Sequence, residues 1–366
     1  MLMAIMDALL ERESHQTAAV RRGDGATKES SFMPPHPPGQ NAIWREKVID
    51  WYFSLVSALS QQHQASSADH DNVDPSSNPF NRSSVHVTTA LLDSYLLSLP
   101  PERYLRYRRD RSAYQLLATT SLLLGLRLTR QDQWDESRQL QQRQQALVDA
   151  EKPHVNQMKR SRTHKENMNQ EDASPSPTSS VTLPNAATLL RISAAPNSIS
   201  EKNVMVMVRE MTGSRVFPRS KLVTALDFIR LFCSSTTRVS DVDADVETSG
   251  LFVSLGPMDA EEAYRVADAS LRDVTFSGCR PSILACAAIT LALLRSNDVN
   301  HNMSSLRRSV YCSVFRNAHD TVIYQAIRKV ELRLLRTTQS AVTSASRNVS
   351  HVLSTSTTHV IPLEDE

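Results

Sequence analysis

Apolar residues recur along this chain with the spacing of helices rather than of strands. Between Ala42 and Gln61 they fall at Trp44, Val48, Trp51, Leu55 and Leu59. That i, i+4, i+7 rhythm puts one stripe of an α-helix against a core. Ser83–Leu99 repeats it through Val85, Leu92, Tyr95 and Leu96 and stops before Pro100 and Pro101, which cannot continue a helix. Arg111–Thr129 differs, because Tyr114, Leu116, Leu117, Ala118, Leu122, Leu123, Leu124, Leu126 and Leu128 leave hardly any polar face. A helix apolar all round belongs at the centre of a bundle.

The scheme returns in the second half. Ser220–Cys233 and Asp259–Val274 are amphipathic, and Arg280–Leu294 is again apolar on every side, with Pro281 at a first-turn position where its missing N–H costs nothing. Met303–Asn317 and Thr321–Leu335 follow as amphipathic helices. Two all-apolar helices, each flanked by amphipathic ones, predict an all-α chain with two consecutive bundles of about five helices.

Polar stretches separate these elements. Arg21–Gln40 carries Pro34, Pro35, Pro37 and Pro38; His63–Asn81 is rich in Ser, Asp and Asn; Gln131–Ser180 is Gln-rich, then basic, then S-P-S-P-T-S-S. Such composition buries too little apolar surface to offset the entropy of ordering, so long disordered insertions are expected. Arg238–Gly250 is an acidic loop, and the Ser/Thr-rich tail from Ala341 is expected to be flexible.

Composition narrows the function. Eight glycines in 366 residues is about 2%, against roughly 7% in average proteins. None has the spacing of G-x-x-x-x-G-K-[ST] or G-x-G-x-x-G, which argues against phosphate-loop and dinucleotide-binding enzymes. The net charge of +2 supplies no global field for nucleic acid or membrane. Cys233, Cys279, Cys286 and Cys312 lie far apart, as small hydrophobes in a reducing compartment do. The start M-L-M-A-I-M-D-A-L-L-E-R-E is apolar too briefly for a secretory signal. No apolar run reaches the ~20 residues of a membrane span, so a soluble, intracellular protein is expected. Neither H-E-x-x-H nor G-x-S-x-G occurs, and no cofactor, metal or catalytic constellation emerges.

Four motifs carry a family resemblance. W-R-E-K-V-I-D-W (Trp44–Trp51) resembles M-R-x-I-L-x-D-W, the opening of the cyclin box, and A-L-L-D-S-Y-L (Ala90–Leu96) resembles its second-helix x-x-L-D-R-[FY]-L. Tyr114–Leu128 resembles the third helix, and F-S-G-C-R-P-S-I-L-A-C-A-A-I-T-L-A-L (Phe276–Leu293) the F-x-P-S-x-x-A-x-A-A-x-x-x-A of a second box. The Y-Q-L-x-A-x-T-S-L-x-L block resembles the divergent cyclins of diatoms. Together the motifs cover roughly 41–131 and 180–339.

The resemblance implies a tandem cyclin fold: an N-terminal helix and Pro-rich linker over 1–40, a first box over 41–215 interrupted at about 131–180, a second cyclin-like domain over 216–340, and a tail over 341–366. It implies a non-enzymatic regulatory subunit that binds and activates a cyclin-dependent protein kinase in cell-cycle control, in nucleus and cytoplasm, with no membrane or nucleic-acid partner. Arg45 and Asp93 match the pair that holds helix one to helix two. Arg127 stands where cyclins carry a kinase-contacting lysine. The glutamate that acts with it belongs in a helix placed at Ile199–Thr212, where the usual M-E is replaced by N-V-M-V (Asn203–Val206); Glu201 is the near carboxylate and Glu210 lies farther along. Trp44, Val48 and Trp51 match a patch that docks substrate or inhibitor peptides in some members, or else serve as core. Lys165, Glu166 and Asn167 resemble a degradation signal, and Ser174 and Ser176 precede prolines as phosphorylation sites do.

Two other readings are kept beside it. R-Y-L-R-Y-R-R-D-R (Arg103–Arg111) reads as a solvated or partner-facing loop, or else as a contact for DNA or RNA phosphates. The latter would make the chain a cyclin-fold transcription factor like transcription factor IIB. A kinase-independent scaffold is the second. D-V-D-A-D-V-E (Asp241–Glu247) lacks the glycine and the final glutamate of a calcium loop.

Overall fold

A computed structural model describes residues 2–21, 42–67, 80–151, 183–192, 199–214, 217–218, 222–234, 255–296, 303–315 and 322–338. Twelve α-helices occur among them, and no strand. They are α1 (Leu2–Arg21), α2 (Ala42–Ser67), α3 (Arg82–Ser98), α4 (Pro101–Arg109), α5 (Arg111–Glu151) and α6 (Ala186–Ile192). Then come α7 (Glu201–Thr212), α8 (Ala225–Ser234), α9 (Pro257–Arg272), α10 (Pro281–Ser296), α11 (Met303–Val314) and α12 (322–338).

Local chemistry sets the boundaries. Asn81 caps α3, its side chain accepting from the Ser83 N–H at 2.9 Å. Pro101 opens α4, and Asp110 both ends α4 and starts α5, its carboxylate accepting from the N–H groups of Ser112 and Ala113 at 2.9 and 3.1 Å. Ser200 and Asn203 form a reciprocal capping box at α7. The helix expected from Ser220 starts later, at Ala225, because the backbone and hydroxyl of Thr224 both bond the Asp227 carboxylate at 2.8 Å.

The two all-apolar segments are the central helices. Around α5, one cluster joins Tyr52, Leu55 and Val56 of α2 to Leu122 and Leu126, Leu189 of α6 and Val204 of α7. A second joins Leu92 and Tyr95 of α3 to Tyr104 and Tyr107 of α4, Leu117 of α5, and Met207 and Met211 of α7. Around α10, whose residues Ser282–Leu293 are all buried, pack α8, α9, α11 and α12. The hydroxyls of α5 enter this apolar setting by bonding their own helix. Thr119, Thr120 and Ser121 each donate to the carbonyl four residues back at 2.8–2.9 Å.

The structure corrects two expectations. Arg103–Arg109 is a helix rather than a loop: Pro101 supplies an N1 residue, and Tyr104 and Tyr107, three apart, bury one face. The third helix does not end at Thr129 but runs to Glu151 through Gln-, Arg-, Leu- and Ala-rich sequence. These are good helix formers, and no proline intervenes before Pro153. The rest of the expected insertion, 152–180, lies outside the described residues, as do the acidic loop and the expected tail over 341–366.

The N-terminal helix has an attachment that its sequence did not announce. Met6 joins the core around α10, and Gln16 accepts from the Val223 N–H at 3.2 Å. Glu13, fully buried, accepts from the N–H and hydroxyl of Ser282 at 2.6 and 2.7 Å and pairs with Arg280 at 3.3 Å. A side chain from α1 thereby caps the start of α10.

Candidate functional site

Four groups of side chains stand out. The first is built by α2 and α3. Arg45, 1% exposed, is bidentate to Asp93: Nη2 lies 2.9 Å from Oδ2, and Nη1 bonds Oδ1. Its Nε donates to the Leu271 carbonyl at 2.8 Å and its Nη1 to the Ser277 hydroxyl at 3.3 Å. Burial works against the guanidinium charge, but the Asp93 carboxylate outweighs it and holds the arginine above its ordinary pKa. The pair that the motifs marked is thus brought together, and it also reaches the second group of helices through α9 and the turn after it.

The second group surrounds α7. Its inner face is Val204, Met207 and Met211; outward point Met205 and Val206, 46% and 55% exposed. Glu201 is exposed in the first turn, and Arg127 is exposed on the neighbouring α5. Neither makes an ion pair or hydrogen bond among the described residues, with the other or with anything else. Glu210 is engaged: Oε1 accepts from the Tyr95 hydroxyl at 2.8 Å and meets Arg103 at 3.4 Å. Of N-V-M-V, Asn203 serves the cap and Val204 the core, so the exposed pair is M-V.

The third is the start of α2. Trp44, Val48 and Trp51 are each half-buried. Trp44 lies 6.0 Å from Tyr114, centroid to centroid, and Trp51 lies 5.3 Å from Tyr52. These residues therefore pack on the core with one side and meet solvent with the other, beside the exposed Ile43.

The fourth group went unseen in the sequence. At the seam between α3 and α9, Arg82 pairs with Glu261 and Asp268, each at 2.9 Å, and the buried His86 places Nε2 2.9 Å from Asp268. Arg82 also lies over the Tyr264 ring. His86 sits between Val85 and Val87, the one local hint that it is buried. For Glu13 the signal was α10 itself, whose N-cap is Arg280 instead of Ser, Thr, Asp or Asn.

The four cysteines are free, and burial pushes up the thiols of Cys233, Cys286 and Cys279, the last to about 12. Among the described residues no three His, Cys, Asp or Glu side chains converge as metal ligands, and no helix is long and apolar enough to cross a membrane. Lys165, Glu166, Asn167, Ser174 and Ser176 lie outside the described residues. No family model matches the chain, and no curated protein matches it.

Proposed function

We propose that the chain is a regulatory cyclin subunit, not itself an enzyme, which binds and activates a cyclin-dependent protein kinase in cell-cycle control. The observation that carries this reading is the buried Arg45–Asp93 pair. It joins the two residues at which the W-R-E and A-L-L-D motifs resemble the box, 48 positions apart. Helices grouped around α5 and around α10 are what a box over 41–215 and a cyclin-like domain over 216–340 would require.

The kinase would meet α5 and α7. Arg127 and Glu201 offer two exposed charges without partners, and Met205 and Val206 offer apolar area. Arginine for lysine keeps the cation but presents a planar fork. Such a surface works by position: it favours the kinase state in which the catalytic Lys–Glu ion pair is formed. It shifts that equilibrium only by its differential affinity for the two states. The half-exposed Trp44, Val48 and Trp51 would then receive substrate or inhibitor peptides. A nuclear and cytoplasmic location belongs to the same reading.

Affinity capture with the full chain from cell extract, followed by a histone phosphorylation assay, tests it. Captured kinase activity is expected, and M205E/V206E or Arg127→Glu should lower it at least about tenfold, as loss of a central contact does. All three side chains are exposed, so unfolding should not intervene. Capture of no kinase would leave the scaffold reading, and DNA binding with a steep salt dependence would leave the transcription-factor reading.

A further inference from the structure

The arginines of α4 form a surface that the kinase reading does not use. Arg103, Arg106, Arg108 and Arg109, with Arg111 at the start of α5, are all exposed. Residues 102–111 hold these five cations against Glu102 and Asp110, a net +3. The whole chain carries +2, so the other 356 residues sum to −1. Five cations within ten residues make this a basic surface.

Neutralisation from within is slight. Asp110 turns its carboxylate onto the backbone of α5, and Arg103 meets Glu210 at 3.4 Å. Arg106, Arg109 and Arg111 make no ion pair among the described residues. Three of the arginines lie in the last turn of α4, where the helix dipole favours cations, but dipole stabilisation needs one or two charges rather than five. The helix is also held firmly. Tyr104 and Tyr107 are buried beneath it, Tyr107 edge-on to Tyr95 with centroids 6.5 Å apart.

We propose that α4 docks a short acidic peptide segment of a partner protein. Every cation here is an arginine, whose fork binds a carboxylate through two parallel bonds. Nine residues of helix span about 13 Å, the length of roughly four residues of extended peptide. Leu105, 37% exposed among the arginines, offers an apolar contact between the acids. Leu105 favours peptide over nucleic acid, because a sugar–phosphate backbone offers no apolar side chain to meet it.

The test is fluorescence anisotropy of the full chain with fluorescein-labelled Asp-Glu-Leu-Glu-Asp-Asp, beside oligo(dT) of equal charge. Saturable peptide binding is expected, falling as salt rises. R106E/R109E should weaken it at least about tenfold, and replacing the peptide's Leu by Ser should weaken it measurably. Both arginines are exposed, so circular dichroism should match the parent; if it does not, Arg109→Gln serves as the second variant. No peptide binding at low salt, tighter binding of oligo(dT), or indifference to the arginine variants overturns the proposal.

Discussion

Arg45 spends its guanidinium on two tasks. The fork is bidentate to Asp93 on α3, while Nε and Nη1 reach Leu271 and Ser277 in the second group of helices. A buried charge left by deletion of its partner is strongly destabilising. Asp93→Ala should therefore cost about 3–5 kcal/mol in urea unfolding. The double replacement of Arg45 and Asp93 by leucine should cost less than the two single replacements added, because neither charge is then stranded.

Gly125 marks a close approach of α3 and α5. A Cβ built there would lie 2.1 Å from Thr88 Oγ1 and 2.9 Å from Thr88 Cα. Gly125→Ala should cost about 1–3 kcal/mol by overpacking, despite the helix propensity gained. Thr88→Ala should restore part of that loss and cost little alone, since the Thr88 hydroxyl is buried without a hydrogen-bond partner. Thermal unfolding of the three variants tests the pairing.

How much of this was legible follows from which signals are local. The central helices could be read because their apolar residues run on every face, and Asp93 and Arg45 because each sat in a short motif. The α4 helix was missed because arginine content outweighed the two tyrosines, Tyr104 and Tyr107, whose i, i+3 spacing decides which face packs. The extension of α5 to Glu151 was missed because Gln and Arg read as polar linker, although both are good helix formers. Glu13 with Ser282, and His86 with Asp268, are 269 and 182 positions apart. No local pattern encodes such pairs; only an uncapped helix and a histidine flanked by two valines hinted at them.

Glu13 should leave a signature in pH. Burial raises its folded pKa above the ordinary carboxylate value, against the opposing pull of Arg280 and Ser282. Between those two values the folded state holds more protons than the unfolded state. The stability contributed by this group is therefore fully present below about pH 4.5 and is lost as pH rises through the folded pKa. Glu13→Gln keeps an acceptor for the Ser282 N–H without titrating. Urea unfolding of both proteins upward from pH 4.5 should show the parent losing stability relative to the variant as pH rises; parallel curves would refute the assignment.

The seam between α3 and α9 sets one arginine against two carboxylates that differ in exposure. Arg82 meets Glu261 and Asp268 at the same 2.9 Å, but the Asp268 side chain is 13% exposed and that of Glu261 45%. Asp268 also holds the buried His86. An exposed pair is screened by water and contributes little, about 0–1 kcal/mol, whereas stripping the partner from buried groups leaves them unsatisfied. Glu261→Ala should therefore lower stability by less than about 1 kcal/mol, and Asp268→Ala by about 3 kcal/mol. Raising salt should weaken the Glu261 contribution and leave that of Asp268 nearly unchanged. Equal costs for the two variants would mean that contact distance, rather than burial, governs the junction between the two groups of helices.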